Sequence, residues 1–356
     1  MANKIMVTGG AGFVGSNLVD SLLSDGYDVT VFDALHRRGS EHNLQWLRDR
    51  YGHHRFQFVQ GDLRDFAAVQ EAAQDADVIY HLAGQVAVTT SVLDPRTDFE
   101  VNALGTLNVL EAARLSGCRP AVVFTSTNKV YGNMEDLPVV ETATRYQYRD
   151  LPYGVSDTQP LDFHSPYGCS KGAMDQYVRD YARIYNLPTV VFRMSCIYGP
   201  RQFGMEDQGW LAYFMIAAAT GRPITIYGDG KQVRDILFVE DLVRALRLAV
   251  DKIDTTAGQI YNIGGGSSNT ISVWVEFRQF LADLKGAEVP ARFDQWRPGD
   301  QPCYVSDIRK VSRHLGWKPL VDKETGLRRL WEWVVAHKSL FETTNGAPVG
   351  VCEELA

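Results

Sequence analysis

Short runs of apolar residues recur through the first half of the chain, at Ile5–Val7, Val29–Phe32, Phe56–Val59, Val78–Leu82 and Val122–Thr125. Between them lie stretches whose apolar positions follow a helical spacing, near Val14–Ser24, Ala67–Ala73 and Thr97–Leu115. Strands that are apolar throughout, rather than alternating, must be buried on both faces. Their alternation with helices predicts an α/β fold, a doubly wound parallel sheet with helices on each side.

The pattern then changes twice. From Tyr131 to about His164 the chain is polar and turn-rich, too long for an ordinary connection, which predicts a functional loop. A helix over Pro166–Tyr185 and a strand over Thr189–Arg193 follow. Beyond Tyr198, residues 200–232 and 263–338 are rich in Gly, Trp, Arg and short apolar runs, and predict a smaller, discontinuous second lobe. Residues 233–262, with a strand and helix over Asp235–Val250, return to the first lobe, 1–199. The segment 339–356 is polar and patternless, and reads as a tail.

With 356 residues the chain can bury a large core. Its net charge of −7 and pI near 5.6 argue against nucleic-acid or membrane-surface partners, which need a basic face. No apolar run approaches a membrane span, and Met1-Ala2-Asn3-Lys4 leads into a strand with no secretory signal, so a cytoplasmic protein is expected. The five cysteines, Cys118, Cys169, Cys196, Cys303 and Cys352, lack Cys-x-x-Cys spacing and read as reduced thiols rather than metal ligands. Cys169 and Cys196 read as small buried fillers.

Two motifs carry the chemistry. Gly9-Gly10-Ala11-Gly12-Phe13-Val14-Gly15 joins the first strand to the first helix, where glycine lets the backbone approach a pyrophosphate and the helix N-terminus stabilises its charge. Tyr167 and Lys171 stand four residues apart on one helical face, where an ammonium can hold a nicotinamide ribose and lower the phenol pKa. Either alone is weak; together they indicate a nicotinamide oxidoreductase site on a Rossmann-type domain. Asp33 ends the second strand, where a carboxylate accepts from the adenosine ribose and repels a 2′-phosphate, favouring NAD; Arg37 and Arg38 nearby could neutralise such a phosphate. Asp62 ends the third strand as an adenine contact or a helix cap, with Leu63 beside it. Leu82 and Ala83 close the fourth strand beside the phosphates. After the fifth strand, Thr127 is the candidate hydroxyl partner of Tyr167.

On the substrate side, Arg234 and Arg297 suit a diphosphate, with ion pairs to Asp235 or Asp300 as the structural alternative. Arg201 is a further cation. Trp210 can stack on a base or fill a core. Gln85, Asn128, His164 and Gln202 are candidates for the rest of the substrate.

Thr8–Gly15, Ser126-Thr127-Asn128-Lys129-Val130-Tyr131-Gly132 and Tyr167-Gly168-Cys169-Ser170-Lys171 resemble the extended short-chain dehydrogenase/reductase superfamily. His81–Ala87, Asp162–Pro166, Arg201–Phe203, Asp207–Trp210 and Gly230–Asp235 are similar to its CDP-tyvelose (CDP-paratose) 2-epimerases. The resemblance runs from about residue 4 to 335. It implies Thr127, Tyr167 and Lys171 as the catalytic set, and Gly9, Gly12, Phe13, Val14, Gly15, Asp33 and Asp62 at NAD. It also implies a CDP-sugar substrate, and a homodimer or homotetramer built on helices 97–115 and 166–185. Relatives commonly carry Asn after the acid matching Asp33, where this chain has Ala34. The implied reaction oxidises C2 of the sugar to a ketone, turns the ketosugar over and returns hydride to its other face. A 4,6-dehydratase would want an acid pair where Asn128-Lys129 stands; a 4-epimerase and a non-catalytic redox sensor are the other readings.

Overall fold

The apolar runs form strands β1 (Lys4–Thr8), β2 (Asp28–Asp33), β3 (Gln57–Gln60), β4 (Val78–His81) and β5 (Ala121–Thr127). In the computed structural model, which describes residues 4–297 and 300–342, they join Thr189–Met194 and Gln259–Ile263 in one seven-stranded sheet. Its order is Gln259–Ile263, Thr189–Met194, β5, β4, β1, β2, β3, and every neighbouring pair is parallel. The direction of winding reverses at β1, which lies between β2 and β4, so a crevice opens at their carboxyl ends beside Thr8 and His81.

Both faces of the sheet are covered. Helix α1 (Phe13–Ser24) buries Leu18, Val19 and Leu22 with Val29 and Val31 on one face, joined by Leu242 and Leu246 of the helix Val239–Asp251. On the other face Val69, Leu110, Met174 and Val178 cover Met6, Phe32 and Val122. A second core gathers Phe214, Trp274, Phe277, Leu327 and Leu330 in the smaller lobe.

Several elements depart from the sequence pattern. A helix at Ser40–Tyr51 buries only Ser40, Asn43, Leu44 and Leu47, too narrow an apolar stripe to stand out. The predicted helix Thr97–Leu115 is three helical segments in series: Pro95–Phe99, a widened π turn at Glu100–Leu104, and Gly105–Leu115. The strand expected in the first lobe near Asp235, Val233–Phe238, pairs instead with Cys196–Tyr198, Thr270–Ser272 and Cys303–Tyr304. Its following helix packs on the large sheet, so residues 233–262 contribute to both layers. Within the long polar stretch, Val139–Glu141 and Tyr146–Tyr148 form a hairpin fastened to the smaller lobe by the Arg145–Glu276 ion pair at 2.5 Å.

The tail begins with a helical turn, Ser339–Glu342, whose Phe341 is buried against Phe203 and Trp333. Cys169 is exposed, contrary to its reading as buried filler, and Cys196 is half-buried. Residues 343–356 with Cys352, residues 1–3, and the Pro298-Gly299 pair lie outside the described residues. Among the described residues no helix is long and apolar enough to cross a membrane, and no cluster of His, Cys, Asp or Glu could hold a metal.

Candidate active site

The glycine turn is a cradle that side chains would fill. A Cβ on Gly9, whose φ is +69°, would lie 2.8 Å from the Ala83 amide nitrogen, and one on Gly15 would lie 2.0 Å from the Gly9 carbonyl oxygen. The N-cap of α1 is Gly12, with no side chain to satisfy the first-turn amides of Phe13 and Val14, and a bound anion can take that role. Asp33 is buried and accepts from Ala11 N at 3.0 Å and Leu35 N at 2.8 Å, so one carboxylate ties the glycine turn to the end of β2. Burial raises its pKa, while these amides and His36 oppose the rise. A buried acid over a bare helix terminus, with no room for side chains between, fits a dinucleotide.

Other predicted cofactor residues fall around this turn. Leu82 and Ala83 follow β4, their amides donating to the Thr8 carbonyl and hydroxyl. Leu63 is buried beneath Gly105. Asp62 is not a helix cap; that role belongs to Asp65. Asp62 pairs with Arg64 at 2.7 Å, which holds its carboxyl below the usual range. Arg37 donates to Gln208 at 2.7 Å.

Thr127 and Tyr167 meet across the crevice. Thr127 ends β5 and Tyr167 opens the long helix Ser165–Tyr185; both residues are buried, and the Thr127 hydroxyl favours the Tyr167 phenolate. Burial pushes the Tyr167 hydroxyl up to about 12, while Thr127 and the nearby Arg37 cation pull it back. Lys171, one turn on, donates to the Thr125 carbonyl at 2.7 Å and lies 4.2 Å from the centre of the Phe124 ring. Burial brings its ammonium down to about 7, against Asp175 and Asp98, which favour the charge.

Residues that motif reading missed brace this helix. Asp98 accepts from Ser170 at 2.6 Å and from Asn102 at 3.0 Å, and Asn102 in turn accepts from the Gln85 amide. Asn102 sits in the π turn, which adds a residue and swings its side chain towards Ser170. The Asp98-x-x-x-Asn102 spacing on a predicted helix was the only available signal.

The substrate candidates divide. Arg234 and Asn128 both reach Gln301: Arg234 donates to its carbonyl at 2.8 Å, and Asn128 contacts its side chain at 3.4 Å. Arg234 also pairs with Asp300 at 2.6 Å. Arg297 lies 3.9 Å over the Tyr227 ring and 3.7 Å from Glu206. Gln202 is buried with its Oε1 unpartnered, as is Ser126 Oγ. Gln85 is closed on its own loop through Ala87, and His164 is held by Asp162 at 2.9 Å. Trp210 packs edge-on against Phe214 and Phe277 in the smaller lobe's core. Arg201 does not join the others. Its guanidinium lies 3.9 Å over Trp46 and bonds Asn17, lining a separate cavity of about 460 Å³ with Asp20, Glu240, Arg244 and Arg247 on the flank of α1.

Fold and site together define a dinucleotide-binding fold with a buried tyrosine, Tyr167, beside its crevice, and a second, smaller lobe. The model of the NAD dependent epimerase/dehydratase family matches residues 5–264, and the chain belongs to that family. It is 44% identical to CDP-paratose 2-epimerase of Salmonella typhi, over 93% of this chain and 98% of that protein. The UDP-glucose 4-epimerase of Thermotoga maritima, solved with UDP-glucose, superposes with a TM-score of 0.80 at 31% identity, over 93% of this chain and 98% of that one. The dTDP-glucose 4,6-dehydratase of Streptomyces venezuelae, solved with NAD, gives 0.81 at 30% identity, over 95% and 99%. The chain is therefore an NAD-dependent enzyme of the nucleotide-sugar epimerase and dehydratase superfamily.

Proposed function

We propose that this enzyme is a nucleotide-sugar 2-epimerase, inverting C2 of a CDP-linked hexose or deoxyhexose in the manner of CDP-paratose to CDP-tyvelose. The observation that carries the reading is the buried Tyr167 phenol, on which the buried Thr127 hydroxyl bears, with Asn128 and Lys129 following Thr127 directly and no carboxylate in either position. The 44% identity to a CDP-paratose 2-epimerase over nearly the whole chain supports it.

Bound NAD supplies a hydride acceptor and donor, so that the sugar carbon can pass through a ketone. Gly9, Gly12, Phe13, Val14, Gly15 and Asp33 hold it, with Leu63, Leu82 and Ala83 as walls. Tyr167 takes the proton of the reacting hydroxyl, and Thr127 donates to the same oxygen. Lys171 keeps positive charge near the phenol. Arg234 and Arg297 hold the diphosphate, leaving the sugar free to present either face of its ketone. Asn128 and Gln202 line the sugar's side. Residues 1–199 with part of 233–262 serve the cofactor, and 200–232 with 263–338 serve the nucleotide sugar. The enzyme works in the cytoplasm as a homodimer or homotetramer.

The test is a panel of CDP- and UDP-sugars incubated with the purified enzyme and followed by NMR. Inversion at C2 of a CDP-sugar is expected. Inversion at C4, or release of a 4-keto-6-deoxy sugar, would replace this reading with another activity of the same superfamily.

A further inference from the structure

The first turn of the long helix Ser165–Tyr185 has no ordinary cap, and Tyr167 stands in it. First-turn amides have no partner inside a helix and need one from outside. The N-cap residue, His164, makes no side-chain bond to them. Ser165 enters at a φ of +64°, a left-handed conformation unfavourable for a residue with a side chain. Pro166 has no N–H to donate, and Ser165 Oγ accepts from Gly168 N at 3.2 Å. The Tyr167 amide donates instead to Ser91 Oγ at 3.1 Å. The cap of the helix at its reactive residue therefore comes from a side chain 76 positions away in sequence.

Ser91 is held as an acceptor. It is completely buried, and its hydroxyl donates to the Val88 carbonyl at 2.7 Å, which leaves its lone pairs for the Tyr167 amide. It lies on the six-residue helix Val88–Leu93 that follows β4, too short to persist on its own hydrogen bonds. Neighbouring contacts fix that helix. Gln85 bonds both the amide and the carbonyl of Ala87 just before it, and Asn102 accepts from the Gln85 amide at 2.9 Å. Thr89 donates to Asp207 at 2.8 Å. On the other side of Tyr167, the Ser170 hydroxyl lies 3.2 Å from the Tyr167 carbonyl oxygen but is committed to Asp98 at 2.6 Å. Ser91 is thus the side chain that fixes the Tyr167 backbone from the N-terminal side.

We propose that Ser91 is a positioning residue: by accepting from the Tyr167 amide it fixes the first turn of the helix, and with it the place of the Tyr167 phenol relative to the reacting hydroxyl. The proposal rests on Tyr167 being the acid–base. No chemical step passes through Ser91. It acts on the geometry of proton transfer, to which rates respond steeply, since a displacement of about 1 Å can cost on the order of 100-fold. Lys171, one turn further on, is held separately by the Thr125 carbonyl at 2.7 Å. Loss of the Ser91 hydroxyl therefore frees the tyrosine's end of the helix and leaves the lysine in place.

The experiment is a double-mutant cycle on the full chain, measuring kcat, KM and the equilibrium Kd for NAD in the wild type, Ser91→Ala, Tyr167→Phe and the double variant. Ser91→Ala is expected to lower kcat about tenfold, the effect of a displacement below 1 Å, with KM and the NAD Kd changed less than about threefold. In the Tyr167→Phe background no hydroxyl remains to be misplaced, and the same substitution is expected to lower kcat less than about twofold. A tenfold fall in both backgrounds would mean damage that bypasses the tyrosine, and an unchanged kcat in Ser91→Ala would mean that the tyrosine is held without the cap; either overturns the proposal. If Ser91→Ala does not fold, Ser91→Cys, which keeps a weaker acceptor at similar size, goes through the same cycle and decides by the same two readings. Near-normal turnover in Tyr167→Phe itself would withdraw the acid–base assignment and this proposal with it, whereas the two outcomes above overturn the proposal alone.

Discussion

Arg234 donates to Asp300 at 2.6 Å, and this ion pair lies within electrostatic range of Lys129, whose ammonium burial and Arg234 together bring down to about 8. The proposed diphosphate contact therefore already has a partner.

Binding substrate at Arg234 is thus an exchange of anions. Arg234→Ala should raise the substrate's apparent KM roughly tenfold to a hundredfold, as expected for a charge-assisted contact. Asp300→Asn should lower it, because the guanidinium no longer has to leave a carboxylate. Steady-state kinetics and product inhibition by a nucleoside diphosphate measure both. If neither variant changes either quantity, the Arg234–Asp300 pair is purely structural.

Tyr167→Phe keeps the ring that burial has fitted and removes only the hydroxyl. Folding and NAD affinity should be retained while turnover falls on the order of 100-fold or more. Lys171→Ala should impair both, since its ammonium is bonded to the Thr125 carbonyl beneath the site. Turnover, NAD titration and a thermal melt on the same preparations distinguish the two variants.

The large sheet was legible because β1, β2, β4 and β5 carry continuous apolar runs buried in the sheet; β3, at its edge, keeps only Phe58 and Val59 between two glutamines. The Ser40–Tyr51 helix was not, because its inward side presents Ser40 and Asn43 as well as leucines. Strand Val233–Phe238 reads like any buried strand; nothing in its composition says which sheet it joins, and the pairing with Cys196–Tyr198 decides that only in three dimensions. The site divides in the same way. Thr127, Tyr167 and Lys171 stand on regular elements whose spacing carries their geometry. Arg37 and Arg201 are long cations on loops, and each is claimed by a partner more than 150 residues away in sequence, Gln208 and Asn17. No local pattern encodes that choice.

His81 makes a prediction about stability. Thr106 donates to the Asn102 carbonyl, so His81 Nε2 donates to Thr106; Ala83 N–H donates to Thr8, whose hydroxyl donates to His81 Nδ1. This chain of donors requires a neutral ring, and burial with Lys171 nearby pushes its pKa down to about 3. The unfolded chain, with an ordinary histidine, binds the extra proton throughout the window between that value and about 6.5. Stability therefore rises with pH across the window and is lost as pH falls, by up to about 1.4 kcal/mol per pH unit from this group. Urea unfolding between pH 4.5 and 7 should show a shallower dependence in His81→Asn than in the wild type. Equal slopes would mean that the ring is protonated within the fold.

Some of the exposed apolar side chains lie on the short helices beside Tyr167 and at the far end of its own helix. Leu93, Val92, Phe99 and Ile184 are between 60% and 75% exposed. Under the proposed homo-oligomer, a second copy of the chain is expected to cover these apolar groups. Sedimentation should show a dimer or tetramer at micromolar concentration, and Leu93→Glu combined with Ile184→Glu should shift it towards monomer. A wild-type monomer at that concentration would remove the oligomer from the proposal.

The chemical course of the inversion can be read from where hydrogen goes. Tyr167, whose phenolate the Thr127 hydroxyl favours, can take a proton from a hydroxyl, and no carboxylate follows Thr127 at positions 128 and 129 to take one from carbon. If the reacting carbon is oxidised and reduced by hydride, its hydrogen never exchanges with water. Turnover in D2O should then give product free of deuterium at the inverted carbon. Substrate deuterated there should keep its label and show a primary isotope effect where hydride transfer limits the rate. Deprotonation and reprotonation beside a carbonyl would instead place solvent deuterium at the new stereocentre, and a 4,6-dehydratase would place it at C5. Stoichiometric solvent label at the inverted carbon would therefore exclude the hydride course, and would require a carbon base that neither Asn128 nor a protonated Lys129 can provide.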